Sequence, residues 1–132
     1  MIEITSDHNL SRLGGTMAFT DTGTGVAKLA IYGTDRQTIA DIPIAPPLVE
    51  IPLQNPSGEI GPTGLTLLQA EDGLIMETGI AKWARLFTRS GAVSTDFDVR
   101  ADADPVGNGE IAFPSTQLYA GGLVRLTNAL LT

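Results

Sequence analysis

The sequence predicts an all-β fold, a single β-sandwich of jelly-roll type, from three observations. Fifteen glycines and eight prolines are spread through 132 residues, which leaves few windows long enough for a helix. Short β-branched and aliphatic runs recur at near-regular spacing with turn residues between them. Residues 79–100 (GIAKWARLFTRSGAVSTDFDVR) alternate side chains on either side of a Ser90-Gly91 turn, as a hairpin does.

Taken in order, residues 26–32 (VAKLAIY) read as the first strand, set between Thr-Gly-Thr-Gly and Gly33-Thr34-Asp35. Residues 48–53 (LVEIPL) follow Pro46-Pro47 and contain Pro52, so an edge strand or extended arm is expected. Residues 64–70 and 74–78 read as short strands around the turn Glu71-Asp72-Gly73; a helix over 65–76 is disfavoured by Gly73 in its middle. Antiparallel strands follow at 80–88 and 93–100 with a turn at 89–92, then strands at 110–113 and 123–131. A short helix is expected at 6–12, with Ser6 or Asp7 as its N-cap.

In the hairpin, Ala81, Trp83, Arg85 and Phe87 share one face, and Ile80, Lys82, Ala84 and Leu86 the other. On the return strand Val93, Thr95, Phe97 and Val99 oppose Ser94, Asp96, Asp98 and Arg100. Trp83 is expected to be buried beside Phe97, with the acidic row outside.

Length and composition bound the function. The chain fits one domain, residues 1–132, and its 42% apolar content suffices for one core. Without cysteine there is no disulfide framework and no thiolate metal site. A net charge of −7 argues against nucleic acid as a partner, because such affinity comes from Lys and Arg neutralising phosphates. The first ten residues (MIEITSDHNL) lack a basic n-region and an apolar h-region, so no signal peptide is expected, and no apolar run reads as a membrane span.

Catalytic and metal chemistry finds little footing. His8 is the sole histidine, and its neighbours Ser6 and Asp7 are contiguous with it, whereas triad residues converge from separate segments. Asp96, Asp98, Asp102, Asp104 and Glu110 form the densest carboxylate group, without the order of an EF-hand loop. Gly23 and Gly25, or Gly14 and Gly15, have no βαβ context for a phosphate cradle. No catalytic, cofactor-binding or metal-binding residue is therefore assigned, and no enzyme is expected.

The segment 41–64 (DIPIAPPLVEIPLQNPSGEIGPTG) holds six of the eight prolines. It is too apolar for a disordered linker and too proline-rich for a central strand. Its apolar side chains want cover, so Ile42, Pro43, Ile44, Pro46, Pro47, Leu48, Val49, Ile51 and Leu53 form the expected partner interface.

Residues 79–100 and 111–132 (IAFPSTQLYAGGLVRLTNALLT) together resemble the C-terminal half of a family of small proteins from the structural gene clusters of tailed phages. The matching positions are Gly79, Ala81, Trp83, Arg85, Leu86 and Phe87, then Gly91, Ser115, Thr116, Ala120, Gly121, Val124, Leu126 and Thr127, with a partial match at 28–34. The loop 100–110 departs from the family, being longer and more acidic than its Gly-Ser turn. The resemblance implies a virion component without enzymatic activity or cofactor. The favoured role is a capsid cement or decoration protein on the capsid exterior, assembled in the bacterial host cytoplasm. Its implied partners are the phage major capsid protein and copies of itself, with no nucleic acid or membrane. A tail or baseplate protein, and a calcium-dependent or carbohydrate-binding host-recognition module, stay open as alternatives.

Overall fold

The structure, a computed structural model, describes residues 2–132. The chain opens with helix α1 (Ser6–Thr20), whose N-cap is Thr5, its hydroxyl accepting the His8 N–H at 3.1 Å. The expected helix over 6–12 capped by Ser6 or Asp7 is thus fifteen residues long and capped one residue earlier. It runs through Gly14 and Gly15 because Leu13 and Met17, four apart on one face, pack against the main core. Tertiary packing here outweighs poor propensity. Just past the helix, both oxygens of the Asp21 carboxylate accept the Ser57 N–H, at 3.0 and 3.2 Å.

The strands are β1 (Lys28–Tyr32), β2 (Val49–Gly61), β3 (Gly64–Gln69), β4 (Gly73–Leu74), β5 (Gly79–Ile80), β6 (Trp83–Phe87), β7 (Val93–Ala101), β8 (Ile111–Phe113), β9 (Gln117–Leu118), β10 (Leu123–Val124) and β11 (Asn128–Leu131). Among the described residues, seven of them close into a barrel in the order β1-β2-β3-β11-β8-β7-β6, with β6 pairing back onto β1. The other four form two short ribbons outside it, β4 with β10 and β5 with β9. The all-β class expected from the sequence is what the chain adopts apart from α1. The jelly-roll sandwich is not what the pairing describes, because the long strands join into one closed sheet.

Alternation along the strands sends Leu29, Ile31, Val49, Ile51, Leu53, Leu65, Leu86, Phe97, Ile111 and Leu131 into the barrel core. Each such side chain contributes roughly 1.5–3 kcal/mol on leaving water. β2 is not the edge strand or arm that its prolines suggested; it lies between β1 and β3. Pro52 is tolerated because the β2–β3 ladder starts at Leu53, and Pro52 only accepts there, from the Ala70 N–H at 2.9 Å. Pro56 falls in the register shift between Leu53 and Gly58, where the Asp21 carboxylate takes the Ser57 N–H in place of a strand partner. At the β2–β3 turn Gly64 has φ +153°, and a Cβ there would meet the Leu131 carbonyl oxygen at 2.0 Å.

β7 and β8 run parallel, which explains the long loop between them. A chain returning to start beside the strand it has just left needs a connection, and 102–110 supplies it. The loop is organised from inside by Arg100, 6% exposed, whose guanidinium donates to the carbonyls of Gly109 (3.0 Å), Ala101 and Asp104 (both 3.4 Å).

The hairpin forms in antiparallel register with its turn as expected, but its first strand begins at Trp83, and β5 pairs elsewhere. The face assignment is also corrected. Ala84 and Leu86 point inward with Phe97, which lies opposite Ala84, while Trp83 lies opposite Asp98 on the outside. The C-terminal run 123–131 divides into β10 and β11, and the run 74–78 keeps only Leu74 in a strand.

Candidate functional site

Every residue of β1 from Leu29 to Tyr32 is buried, although only alternate ones face the barrel interior. The outward side chains are covered by a second layer. Tyr32 stacks on its cross-strand neighbour Trp83 with ring centroids 4.4 Å apart and planes 18° from parallel. The Arg85 guanidinium sits 5.1 Å from the centroid of the Trp83 ring. Arg85 grips Asp96, its cross-strand partner on β7, through two bonds of 2.7 and 3.0 Å, and the two side chains are 3% and 2% exposed.

The cover over this layer is the segment 33–47, which joins β1 to β2 without helix or strand. Arg85 holds it down, donating to the Asp41 carbonyl at 2.8 Å and the Thr38 carbonyl at 3.4 Å. The Asp41 carboxylate in turn accepts from the Thr38 N–H and hydroxyl at 3.1 and 2.9 Å, which closes the loop on itself. The Asp96 hydrogen bonds raise the Arg85 pKa above its ordinary value, against the lowering effect of burial, so the clamp stays charged. Burial lifts the Tyr32 phenol above its ordinary value, partly offset by the nearby Arg85 charge. The Trp83 Nε1 is buried with no hydrogen-bond partner among the described residues.

The expected interface residues divide at this arm. Ile42 and Ile44 stand 86% and 70% exposed on its outer side, with Pro46 also exposed and Pro43 and Pro47 half-buried. Leu48, Val49, Ile51 and Leu53 belong to the barrel core and offer nothing to a partner, because β2 alternation turns Val49, Ile51 and Leu53 inward and Leu48 packs with them. The physical reason is that Pro52 did not exclude a central strand.

A second surface was not legible in the sequence. Pro46, Pro47, Pro52, Leu74 and Met76 line an open groove of about 660 Å³ whose remaining lining residues are Glu50, Glu71, Asp72 and Glu77. Leu74 and Met76 are 51% and 67% exposed, and Leu123, paired with Leu74, is 67% exposed beside them. The run Leu74-Ile75-Met76 signals a strand; only the structure shows that it lies outside the barrel, with Ile75 alone turned in.

The acidic residues singled out for a cation are dispersed. Asp96 is bound by Arg85, an Asp104 oxygen accepts the Ala101 N–H at 3.1 Å, and a Glu110 oxygen accepts the Asp98 N–H at 3.3 Å. Asp102 accepts from the Thr127 hydroxyl. Among the described residues no three His, Asp or Glu side chains are grouped to hold a metal ion. His8 is exposed in the first turn of α1, and Gly23 and Gly25 lie against the backbone of Arg89 and Ser90. No described helix is long and apolar enough to cross a membrane. No protein-family model, curated protein or solved structure matches the chain.

Proposed function

We propose that this chain is a structural protein of a tailed-phage virion, a cement or decoration protein bound outside the head between major-capsid subunits. The observation that carries the proposal is the arm. Ile42 and Ile44 project from a segment whose inner side is fastened to the barrel by Arg85, so two large apolar side chains are held out in water. Such a surface suits a lasting protein partner. The resemblance of 79–100 and 111–132 to small phage structural proteins supports the same role.

Barrel closure leaves no long free strand edge among the described residues, so docking rests on side-chain burial rather than on the strand-edge pairing open to a sandwich. A subunit that binds only the assembled shell stabilises it by mass action, and many copies multiply the effect. The test is the copy number of the chain relative to the major capsid protein in purified virions. Hundreds of copies per particle are expected. Tens or fewer would move the assignment to the tail or baseplate, and release by a calcium chelator would move it to a host-recognition module.

A further inference from the structure

The groove beside β4 carries an inference that does not depend on the virion proposal. Its floor is apolar, from Pro46, Pro47, Pro52, Leu74 and Met76, and its charged lining is entirely acidic. Two of the four carboxylates already have partners: Glu50 bonds Lys28 at 3.0 Å and Asp72 bonds Arg125 at 2.9 Å. Glu71 and Glu77 are exposed and form no ion pair among the described residues. In chain order they bracket the two exposed apolar side chains, Leu74 and Met76.

We infer that this groove docks a polypeptide segment of another protein in which basic residues flank a short aliphatic stretch. The aliphatic side chains would cover Leu74 and Met76 against the proline wall, and the flanking cations would face Glu71 and Glu77. An acidic or neutral segment leaves both carboxylates uncompensated, and a wholly basic one leaves the apolar floor wet. With Glu50 and Asp72 already neutralised by Lys28 and Arg125, Glu71 and Glu77 are the carboxylates left beside the apolar surface to select a partner's charge pattern.

The experiment titrates the intact protein with three blocked five-residue peptides, KLVLK, ELVLE and KSGSK, while following backbone amide resonances. The first is expected to bind, with shifts confined to Glu50, Pro52's neighbours and residues 71–77, and to weaken when salt is raised through the range that screens exposed pairs. ELVLE and KSGSK are expected to bind at least several-fold more weakly. The surface variant Glu71→Gln/Glu77→Gln should lower KLVLK affinity about three- to tenfold with the amide spectrum otherwise unchanged. Leu74→Ser/Met76→Ser should lower it at least as much. No binding of KLVLK, equal binding of ELVLE, or shifts centred on Ile42 and Ile44 would each overturn the inference. None of these results bears on copy number per virion, so the two proposals fail separately.

Discussion

Removing one member of the Arg85–Asp96 pair should be far more damaging than removing both. Both side chains are almost fully buried, at 3% and 2%, and are joined by two short bonds. Arg85→Met leaves a buried carboxylate without its counter-charge, and Asp96→Leu leaves a buried guanidinium. Each should cost ~3–5 kcal/mol, a large part of the ~5–15 kcal/mol that holds a domain together. The double variant Arg85→Met/Asp96→Leu has no orphaned charge. Besides the pair itself it loses the two bonds from Arg85 to the Asp41 and Thr38 carbonyls, worth about 0.5–1.5 kcal/mol each, and the guanidinium's contact with the Trp83 ring. It should therefore be more stable than either single variant, by roughly 1–3 kcal/mol. Urea unfolding followed by tryptophan emission and by far-ultraviolet dichroism measures all four proteins, with Trp83 lying under the guanidinium as a local reporter. Single losses below about 1 kcal/mol, the size typical of an exposed pair, or a double variant as weak as the sum of the singles, would refute the reasoning.

Trp83→Ala should cost ~3–5 kcal/mol, yet hydrogen exchange should show the loss in 33–47 first, with β8 and β11 still protected, because Trp83 packs outside the barrel. Trp83→Phe should cost less than a typical aromatic trim, since the indole N–H it removes has no partner among the described residues. The raised pKa of Tyr32 makes stability fall with rising pH: below the unfolded value near 10 both states hold the proton, and above it the unfolded chain loses the proton first. Denaturation midpoints should accordingly drop through that alkaline window in the wild type and drop less in Tyr32→Phe. Gly64→Ala should destabilise by about 1–3 kcal/mol, seen as a lowered midpoint, because its Cβ would press on the Leu131 carbonyl. An unchanged midpoint would mean the β2–β3 turn can shift aside.

The strands were legible where alternation and turn residues agree. β1, β3, β7 and β8 fall within a residue or two of their expected places, and the Ser90-Gly91 turn is as read. The burial of Trp83 was legible, but its side was not. An aromatic usually marks the inward face of a strand, and here a second layer covers the outward one. Arg85 held the missing signal: a charge beside Trp83 on the same face, matched by Asp96 opposite, puts that face outside the barrel and leaves Ala84 and Leu86 to fill it. The prolines of β2 read in sequence as strand breakers, while their effect depends on which way the missing N–H points. The groove could not be seen at all, since it joins residues 46–52 to 71–77 across the outside of the barrel, a proximity set by closure and not by any local pattern. Barrel closure itself depends on β6 meeting β1 across fifty residues, and periodicity within a strand says nothing about that pairing.

Shell binding by the arm is the central claim, and add-back to emptied heads tests it most directly. Under the virion proposal, tailed-phage heads that carry the chain would be prepared without it and mixed with wild type and with Ile42→Ser/Ile44→Ser, and both occupancy and the temperature of head disruption measured. These two side chains are exposed, so the variant should fold as stably as the wild type. Wild type is expected to bind saturably in hundreds of copies and to raise the disruption temperature, and the variant to bind several-fold more weakly and protect less. Heads that ignore the wild-type protein, or that bind the variant equally well and are equally protected, would contradict the account.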